Sequence, residues 1–230
     1  MSDLSFLGAL KAAAGRHWDD YVRHPFVTAL GRGTLAEGAF RFYLVQDYLF
    51  LLHFTRAHAL AVAKSDDLAD MRYAAGGIAA ILDTEIDLHI AYCRDWGIDQ
   101  AEMAATPEHP ANLAYTRFVM DRGLAGDLLD LHVALAPCII GYGEIGAMLA
   151  AAPDRSAQGN PYDAWIGMYG GDDYQSLARG HVAFLEDLAA RRGGGGRMAA
   201  LGATFATATR LEVGFWQMGL DAAGARTPDD

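Results

Sequence analysis

Cys138 is the residue whose type and surroundings most favour chemistry, because it follows Pro137 in a long apolar stretch from Ala134 to Glu144. The length and composition of that stretch are typical of a buried helix. A proline inside a helix removes one backbone hydrogen bond and kinks the chain, which opens space beside the thiol. Tyr142 follows four residues later, so a phenol shares the face of the thiol and could assist a cysteine nucleophile. The alternative is that Cys138 is one more small buried hydrophobic residue.

Asp47 is a carboxylate in an otherwise apolar helical stretch. It falls at helical spacing with three aromatic residues, namely Tyr43, Phe50 and Phe54. A buried charge without a partner is very costly, so Asp47 needs either a group on a neighbouring helix or the amino group of a ligand. The residue types leave a structural role and a ligand-binding role open.

Glu212 is a second carboxylate among apolar residues, and Phe215 follows it on the same helix face. We expect burial to raise the pKa of Glu212, which would let this group act as a general acid or base near neutral pH. The alternative is a structural glutamate that pairs with Arg210 or with another arginine.

Glu85 and His89 have the spacing i and i+4, which can supply two metal ligands in a helical bundle. One such pair needs matching partners on other helices, and the sequence offers no second clear pair. A solvated or structural pair is therefore favoured over a metal site.

Helices must position these residues, because no period-two alternation is long enough to predict a strand. Thr34 and Glu37 have the pattern of a capping box, which predicts the start of a helix that ends near Lys64. The predicted helices occupy about 2–23, 35–64, 68–96, 111–122, 126–151, 174–191 and 198–222, with a flexible link at 192–197. We predict a single all-α domain at residues 1–223 and a disordered tail at residues 224–230.

The composition limits the classes of function. The chain has 230 residues, of which 52% are apolar and 20% charged, and its net charge of −11 disfavours a nucleic-acid partner. Cys93 and Cys138 form no metal-ligand pattern, which is typical of reduced intracellular thiols. The N-terminus does not resemble a signal peptide, and no run of 18 apolar residues predicts a membrane span. We therefore expect a cytoplasmic globular protein with no membrane partner.

Four groups of residues together resemble the TenA family, the thiaminase II proteins. The groups are Gln46-Asp47-Tyr48, Pro137-Cys138 with Gly141-Tyr142, Trp165-Ile166 with Tyr169, and Leu211-Glu212 with Phe215-Trp216. They occur in the order of the family and at its approximate spacing. No single group is specific, but the ordered set is, and the resemblance extends from about His17 to Gly219.

The resemblance implies a heme-oxygenase-like all-helical fold and a hydrolase of thiamin salvage. The expected substrate is a small aminopyrimidine, either 4-amino-5-aminomethyl-2-methylpyrimidine or thiamin, and the expected product is hydroxymethylpyrimidine. The resemblance also implies a homo-oligomer, commonly a tetramer, and the chemistry needs no metal and no organic cofactor.

The family pattern also implies a role for individual residues. Cys138 would be the nucleophile that adds to the pyrimidine ring, Glu212 the acid and base, and Asp47 the acceptor for the exocyclic amino group. The remaining substrate-binding residues would be Tyr142 near the thiol, Tyr115 and Tyr169 around Glu212, Phe215 stacked on the ring, and Phe50, where the family often has tyrosine.

Two other classes of function compete with hydrolysis. A metal oxygenase or oxidase of the same fold would use Glu85, His89 and other carboxylates to bind iron, and Cys138 would then be incidental. A binding or regulatory protein would recognise an aminopyrimidine through Asp47 and the aromatic residues without catalysis.

Overall fold

We describe residues 5–152 and 159–224 of a computed structural model of the protein. Over these ranges the chain is almost entirely helical and contains no strand, which confirms the all-α prediction. The twelve helices of these ranges are α1 Phe6–Ala14, α2 Arg16–Val22, α3 Pro25–Gly31, α4 Glu37–Lys64, α5 Leu68–Ala80, α6 Ile86–Asp95, α7 Gln100–Ala105, α8 Pro110–Ala125, α9 Leu128–Ala150, α10 Asp163–Gly170, α11 Asp172–Arg191 and α12 Met198–Gly224.

The packing of the chain divides it into two compact units. The first unit comprises Met1–Leu35 and His132–Trp216, and the second comprises Ala36–Leu131 and Gln217–Asp230. The prediction of a single domain at residues 1–223 is not tested by this division and stays a prediction. The predicted disordered tail lies outside the described residues, except for Gly224, which ends α12.

The N-terminal helices of the first unit are held by charged side chains. Gly15 has a φ of 56°, a backbone conformation that suits glycine, and it separates α1 from α2. The carboxylate of Glu186 on α11 accepts hydrogen bonds of 3.0 Å from the backbone N–H groups of Phe6 and Leu7. A carboxylate at a helix N-terminus satisfies free N–H groups and complements the helix dipole, so Glu186 fixes the start of α1.

Helix α9 supplies much of the core of the first unit, and Pro137 lies inside it as predicted. Its length and a mean hydropathy of 1.6 would suit a membrane span. The helix contains no uninterrupted run of 18 apolar residues, so the sequence criterion does not select it. In the structure 78% of that apolar window is buried in protein, as in the core helix of a globular fold. A Cβ at Gly146 would lie 2.3 Å from the carbonyl carbon of Tyr169, so this glycine permits the backbones of α9 and α10 to meet.

Helix α4 is the central helix of the second unit, with α5, α6, α7 and α8 packed against it. Asp67 caps α5 by accepting a hydrogen bond from the N–H of Asp70. Between α5 and α6 the chain continues as a π-helical segment, Ile81–Glu85, where the sequence pattern predicts an uninterrupted helix. π-Helical segments of this kind are rare and frequently lie at functional sites.

Local sequence patterns fail at several helix starts. Thr34 does not cap α4, because its hydroxyl bonds the Ala29 carbonyl, and the N-cap residue is Ala36. Pro25 begins the unpredicted helix α3, since proline suits the first helical position. The sequence pattern also does not predict helix α7, although Asp99 forms a complete capping box there. The predicted flexible link contains a 3₁₀ turn, Gly194–Arg197.

Candidate functional site

Cys138 is the partly exposed residue of an otherwise buried stretch of α9. Every other residue from Leu131 to Gly143 is buried, whereas the Cys138 side chain is only half-buried. Tyr21 supports the helix at this point, because its hydroxyl donates a hydrogen bond of 3.4 Å to the Pro137 carbonyl. The structure therefore combines a closely packed helix, with Pro137 inside it, and a partly exposed thiol.

Gly141 permits the contact between Tyr21 and α9. A Cβ at position 141 would lie 2.2 Å from Cε1 of Tyr21 and 2.8 Å from its hydroxyl oxygen. No real Cβ tolerates such a distance, so the tyrosine ring can approach the helix only because position 141 has no side chain. Sequence reasoning misses Tyr21, because this residue precedes Pro137 by 116 residues.

Tyr142 and Tyr169 lie together in an aromatic cluster of the first unit. Their ring centroids are 4.9 Å apart, and Tyr142 also packs on Trp165 at 5.8 Å and on Trp216 at 5.3 Å. Aromatic rings at these distances add favourable electrostatic contacts to the area that they bury. Two of the predicted substrate-binding residues are thus neighbours in the structure.

Glu212 and Phe215 lie on α12 and are each 2% exposed, as their apolar surroundings predict. Thr209, one turn before Glu212, bonds its hydroxyl to the Phe205 carbonyl of the same helix. A buried carboxyl group is a suitable proton donor and acceptor. Its catalytic role stays a prediction.

Gln175 on α11 is a supporting residue that the sequence analysis missed. Its Nε2 donates hydrogen bonds of 2.8 Å to the carbonyls of Gly143 on α9 and Tyr169 on α10. These bonds fix the backbone one residue from Tyr142 and at Tyr169 itself. Gln175 thereby restricts the relative position of two predicted substrate-binding tyrosines.

Asp47 in the second unit has two partners on its Oδ2 atom. The hydroxyl of Tyr43 donates a hydrogen bond of 2.9 Å to Oδ2, and Nε2 of His89 lies 2.7 Å from the same oxygen. The Asp47 side chain is 4% exposed and that of His89 is fully buried. The structural partner that the sequence analysis considered therefore exists, and it is a histidine.

The second ring nitrogen of His89, Nδ1, lies 2.7 Å from the backbone carbonyl of Glu85. His89 thus bonds the backbone of Glu85 and not its carboxylate, so the spacing i and i+4 serves a local hydrogen bond. Burial alone would lower the pKa of His89, but the hydrogen bond to Asp47 and the negative charge of Asp47 outweigh burial and raise it. Within residues 5–152 and 159–224, no group of three or more His, Cys, Asp or Glu residues could hold a metal ion.

Phe50 and Tyr115 are also neighbours in the second unit, with ring centroids 5.1 Å apart. Both rings are buried, and Phe50 stacks on Phe54 at 5.1 Å. A narrow gap beside them is lined by Phe50, Phe54, His53, Thr116 and Val119. The aromatic stripe on α4 is therefore continued by α8.

Gln46 positions α8 and with it Tyr115. Its Nε2 donates to the Pro107 carbonyl at 3.0 Å, and its Oε1 accepts from the N–H of His109 at 2.8 Å. Nδ2 of Asn112 donates to the Gln46 carbonyl at 2.9 Å. The glutamine beside Asp47 therefore holds the segment that leads into α8 and has a structural role.

The first unit thus contains a partly exposed thiol, a buried glutamate and an aromatic cluster, and the second contains a buried aspartate and a pair of buried aromatic rings. The chain matches the model of the TENA/THI-4/PQQC family over residues 11–222 and belongs to this family. The resemblance to TenA proteins that the sequence indicates is confirmed.

Individual relatives resemble the chain over nearly its whole length. A solved structure from Silicibacter sp. TM1040, described as a TenA family transcription regulator, is 48% identical with a TM-score of 0.88 and covers 96% of this chain and 99% of its own. A protein of Haemophilus influenzae is 41% identical over 90% of this chain and 95% of its own length. The aminopyrimidine aminohydrolase of Halalkalibacterium halodurans is 36% identical over 94% of this chain and 95% of its own length.

Proposed function

We propose that the protein is an aminopyrimidine aminohydrolase of thiamin salvage with Cys138 as its nucleophile. Membership of the TENA/THI-4/PQQC family and likeness to the Halalkalibacterium aminohydrolase support the reaction class. The observation that carries the choice of nucleophile is the partial exposure of Cys138 on a helix that is otherwise buried around it. Thiamin is the alternative substrate of the same chemistry.

The proposed reaction replaces an amine by water on the methylene group of the pyrimidine. Glu212 donates a proton to a ring nitrogen, which makes the electron-rich ring accept attack by the Cys138 thiolate. The addition interrupts the aromatic system, and the aminomethyl nitrogen, protonated as an ammonium group, leaves as ammonia with the electron pair of its C–N bond. Water then adds to the methylene carbon and gives a proton to the Glu212 carboxylate, and loss of the thiolate restores the aromatic ring.

The other predicted residues bind the substrate in this proposal. Asp47 accepts a hydrogen bond from the exocyclic amino group, and Phe215 stacks on the ring. Tyr142, held by the aromatic cluster, supports the thiol, and Tyr115 and Tyr169 are the further substrate-binding tyrosines that the family pattern implies. Phe50 cannot donate the hydrogen bond that a tyrosine would supply at its position, so it contributes only apolar contact.

Hydrolysis of 4-amino-5-aminomethyl-2-methylpyrimidine and of thiamin tests the proposal directly. We expect wild-type protein to release ammonia from the aminopyrimidine in the presence of a chelator. Cys138→Ser is expected to lower turnover by a factor on the order of 10³ or more, and Glu212→Gln to lower kcat by about 10² to 10⁴. Turnover that persists in Cys138→Ser, or that requires added iron, would contradict the proposal.

The description of the Silicibacter protein as a transcription regulator suggests a different experiment. A net charge of −11 opposes direct binding to a DNA backbone, so we expect no DNA complex at physiological salt. Tight pyrimidine binding without turnover would instead favour a binding protein.

We also propose that the protein is cytoplasmic and forms a homotetramer. Light scattering on the purified protein would test the tetramer.

A further inference from the structure

We propose that His89 is a positioning residue that, with Tyr43, holds Asp47 so that one carboxylate oxygen is left for the amino group of the substrate. The inference rests on the function proposed above and adds a residue that the family pattern in the sequence did not include. It concerns how the amino group is recognised, and it leaves the roles of Cys138 and Glu212 unchanged.

The two oxygens of Asp47 have different surroundings. Oδ2 is occupied by the Tyr43 hydroxyl at 2.9 Å and by Nε2 of His89 at 2.7 Å. Oδ1 has no hydrogen-bond partner among residues 5–152 and 159–224. A carboxylate held by two donors on one oxygen has a fixed orientation, and its other oxygen can accept from a ligand.

The hydrogen bonds of His89 determine how many protons the pair carries. The Glu85 carbonyl can only accept, so Nδ1 of His89 must carry a proton. Nε2 and Oδ2 of Asp47 are close enough to share one further proton, and the pair is neutral as a whole. Burial opposes a charge on His89, but the hydrogen bond and the negative charge of Asp47 outweigh burial and raise the pKa of His89, which favours the proton on the imidazole. An ionised acceptor makes a stronger hydrogen bond than a neutral one.

Asp47 and His89 are each held by a neighbouring group on their own part of the chain. Tyr43 precedes Asp47 by one turn of α4, and the π-segment Ile81–Glu85 ends where the Glu85 carbonyl meets His89. The charged and titratable groups that act on His89 are the carboxylate of Asp47 and, more weakly, that of Glu85. Rigid support of this kind is what a binding residue needs if it is to select one donor geometry.

The consequence is discrimination between pyrimidines with and without the amino group. A ring that lacks this group would leave Oδ1 of Asp47 desolvated and unpaired, which is costly at a buried site. We expect 4-amino-5-hydroxymethyl-2-methylpyrimidine to bind about 10- to 100-fold more tightly than its analogue with hydrogen in place of the amino group. The ratio of the two dissociation constants measures how much Asp47 contributes to recognition of the amino group, independently of turnover.

The experiment measures this ratio by calorimetry in Cys138→Ser protein with two variants of His89. Asparagine at position 89 places its amide near Nδ1 and can bond only the Glu85 carbonyl, whereas glutamine places its amide near Nε2 and can still donate to Asp47. We expect His89→Asn to lower the ratio to the value of Asp47→Asn, and His89→Gln to restore part of it. Equal weakening of both ligands by His89→Asn would show a merely structural role and overturn the inference.

His58→Asn is the matched control. His58 is a buried histidine of the same unit, and its Nδ1 lies 3.0 Å from the carbonyl of Phe54 four residues earlier, but no carboxylate contacts it. Its replacement is expected to leave the ratio unchanged, and a loss as large as that of His89→Asn would contradict the inference. If His89→Asn does not fold, Tyr43→Phe decides, because loss of one donor is expected to lower the ratio several-fold and an unchanged ratio would refute us.

The proposed function and this inference can fail separately. Asp47→Asn with an unchanged ratio, in a protein that hydrolyses the aminomethylpyrimidine, would overturn the inference and leave the hydrolase intact. The expected ratios in a protein without turnover would support the inference and refute the hydrolase. A histidine nitrogen spectrum gives an independent readout, since His89 should carry two ring protons that Asp47→Asn reduces to one.

Discussion

The α9 region around Cys138 and the α6 region around Cys93 show how two unpaired cysteines on helices acquire different properties. Cys138 is half-buried beside a proline in the first unit, whereas Cys93 is completely buried in the second unit. Burial raises the pKa of the Cys93 thiol to about 11, despite the opposing positive charge of Arg41. Cys93 is therefore a small hydrophobic residue at neutral pH, and Cys138 has the access that a nucleophile needs.

The two regions also differ in how their polar groups are compensated. On α6, one turn before Cys93, His89 bonds Asp47 and the Glu85 carbonyl, so both of its ring nitrogens are occupied. On α9 the supporting contacts go to the backbone instead, from Tyr21 to Pro137 and from Gln175 to Gly143. The α9 contacts hold the helix and leave the Cys138 side chain partly accessible, which is the difference that the following predictions examine.

The largest expected effect is on turnover. Cys138→Ser should lower hydrolysis of the aminomethylpyrimidine by a factor on the order of 10³ or more, as for the loss of other covalent nucleophiles. Cys93→Ser, the matched control, should leave kcat within about twofold, because that thiol does not act as a nucleophile. Equal loss in both variants, with unchanged circular dichroism, would remove the distinction between the two regions.

Thiol alkylation gives the next largest contrast. Iodoacetamide at pH 8 should modify Cys138 in the native protein at least ~100-fold faster than Cys93, since only about one in a thousand Cys93 thiols is ionised at that pH. Mass spectrometry of tryptic peptides measures both sites in one sample, and denatured protein supplies the control in which the two rates converge. Comparable alkylation rates in the native protein would mean that α6 opens often enough to expose Cys93 as much as Cys138 is exposed on α9.

Much of the fold and part of the site follow from local patterns. The long helices α4, α9, α11 and α12 were predicted because their apolar residues recur at helical spacing. The burial of Asp47 and Glu212 followed from their apolar neighbours in the same way. Such signals lie within one helix and need no knowledge of packing.

The remainder depends on contacts between distant parts of the chain. His89 meets Asp47 across 42 residues, and Tyr21 meets Pro137 across 116, so no spacing rule identifies either partner. The π-segment before α6 likewise has no signature in the sequence pattern. Thr34 failed as a cap for a related reason, since the Ala29 carbonyl competes for its hydroxyl.

A smaller effect concerns the close packing of α9. Gly141→Ala should destabilise the protein by about 1–3 kcal/mol, because the new Cβ would overlap the Tyr21 ring. Gly180→Ala on α11 is the control, as a Cβ there meets nothing within 4 Å and should stabilise the helix by about 0.5–1 kcal/mol. Urea denaturation of the two variants measures the difference, and equal midpoints would contradict the contact between Tyr21 and α9.

The smallest expected effect is a pH dependence of stability in which His89 and His58 have opposite signs. The pKa of His89 is raised in the folded protein by Asp47 against the effect of burial, so its contribution is complete below the unfolded value of about 6.5 and is lost as pH rises through the folded pKa. Burial lowers the pKa of His58, so its contribution is complete above about 6.5 and is lost as pH falls through the folded pKa. Urea denaturation of wild type, His89→Asn and His58→Asn between about pH 5 and pH 9 compares the two. The stability difference from wild type should shrink with rising pH for His89→Asn and grow for His58→Asn, and slopes of the same sign would show that burial, and not Asp47, controls the charge of His89.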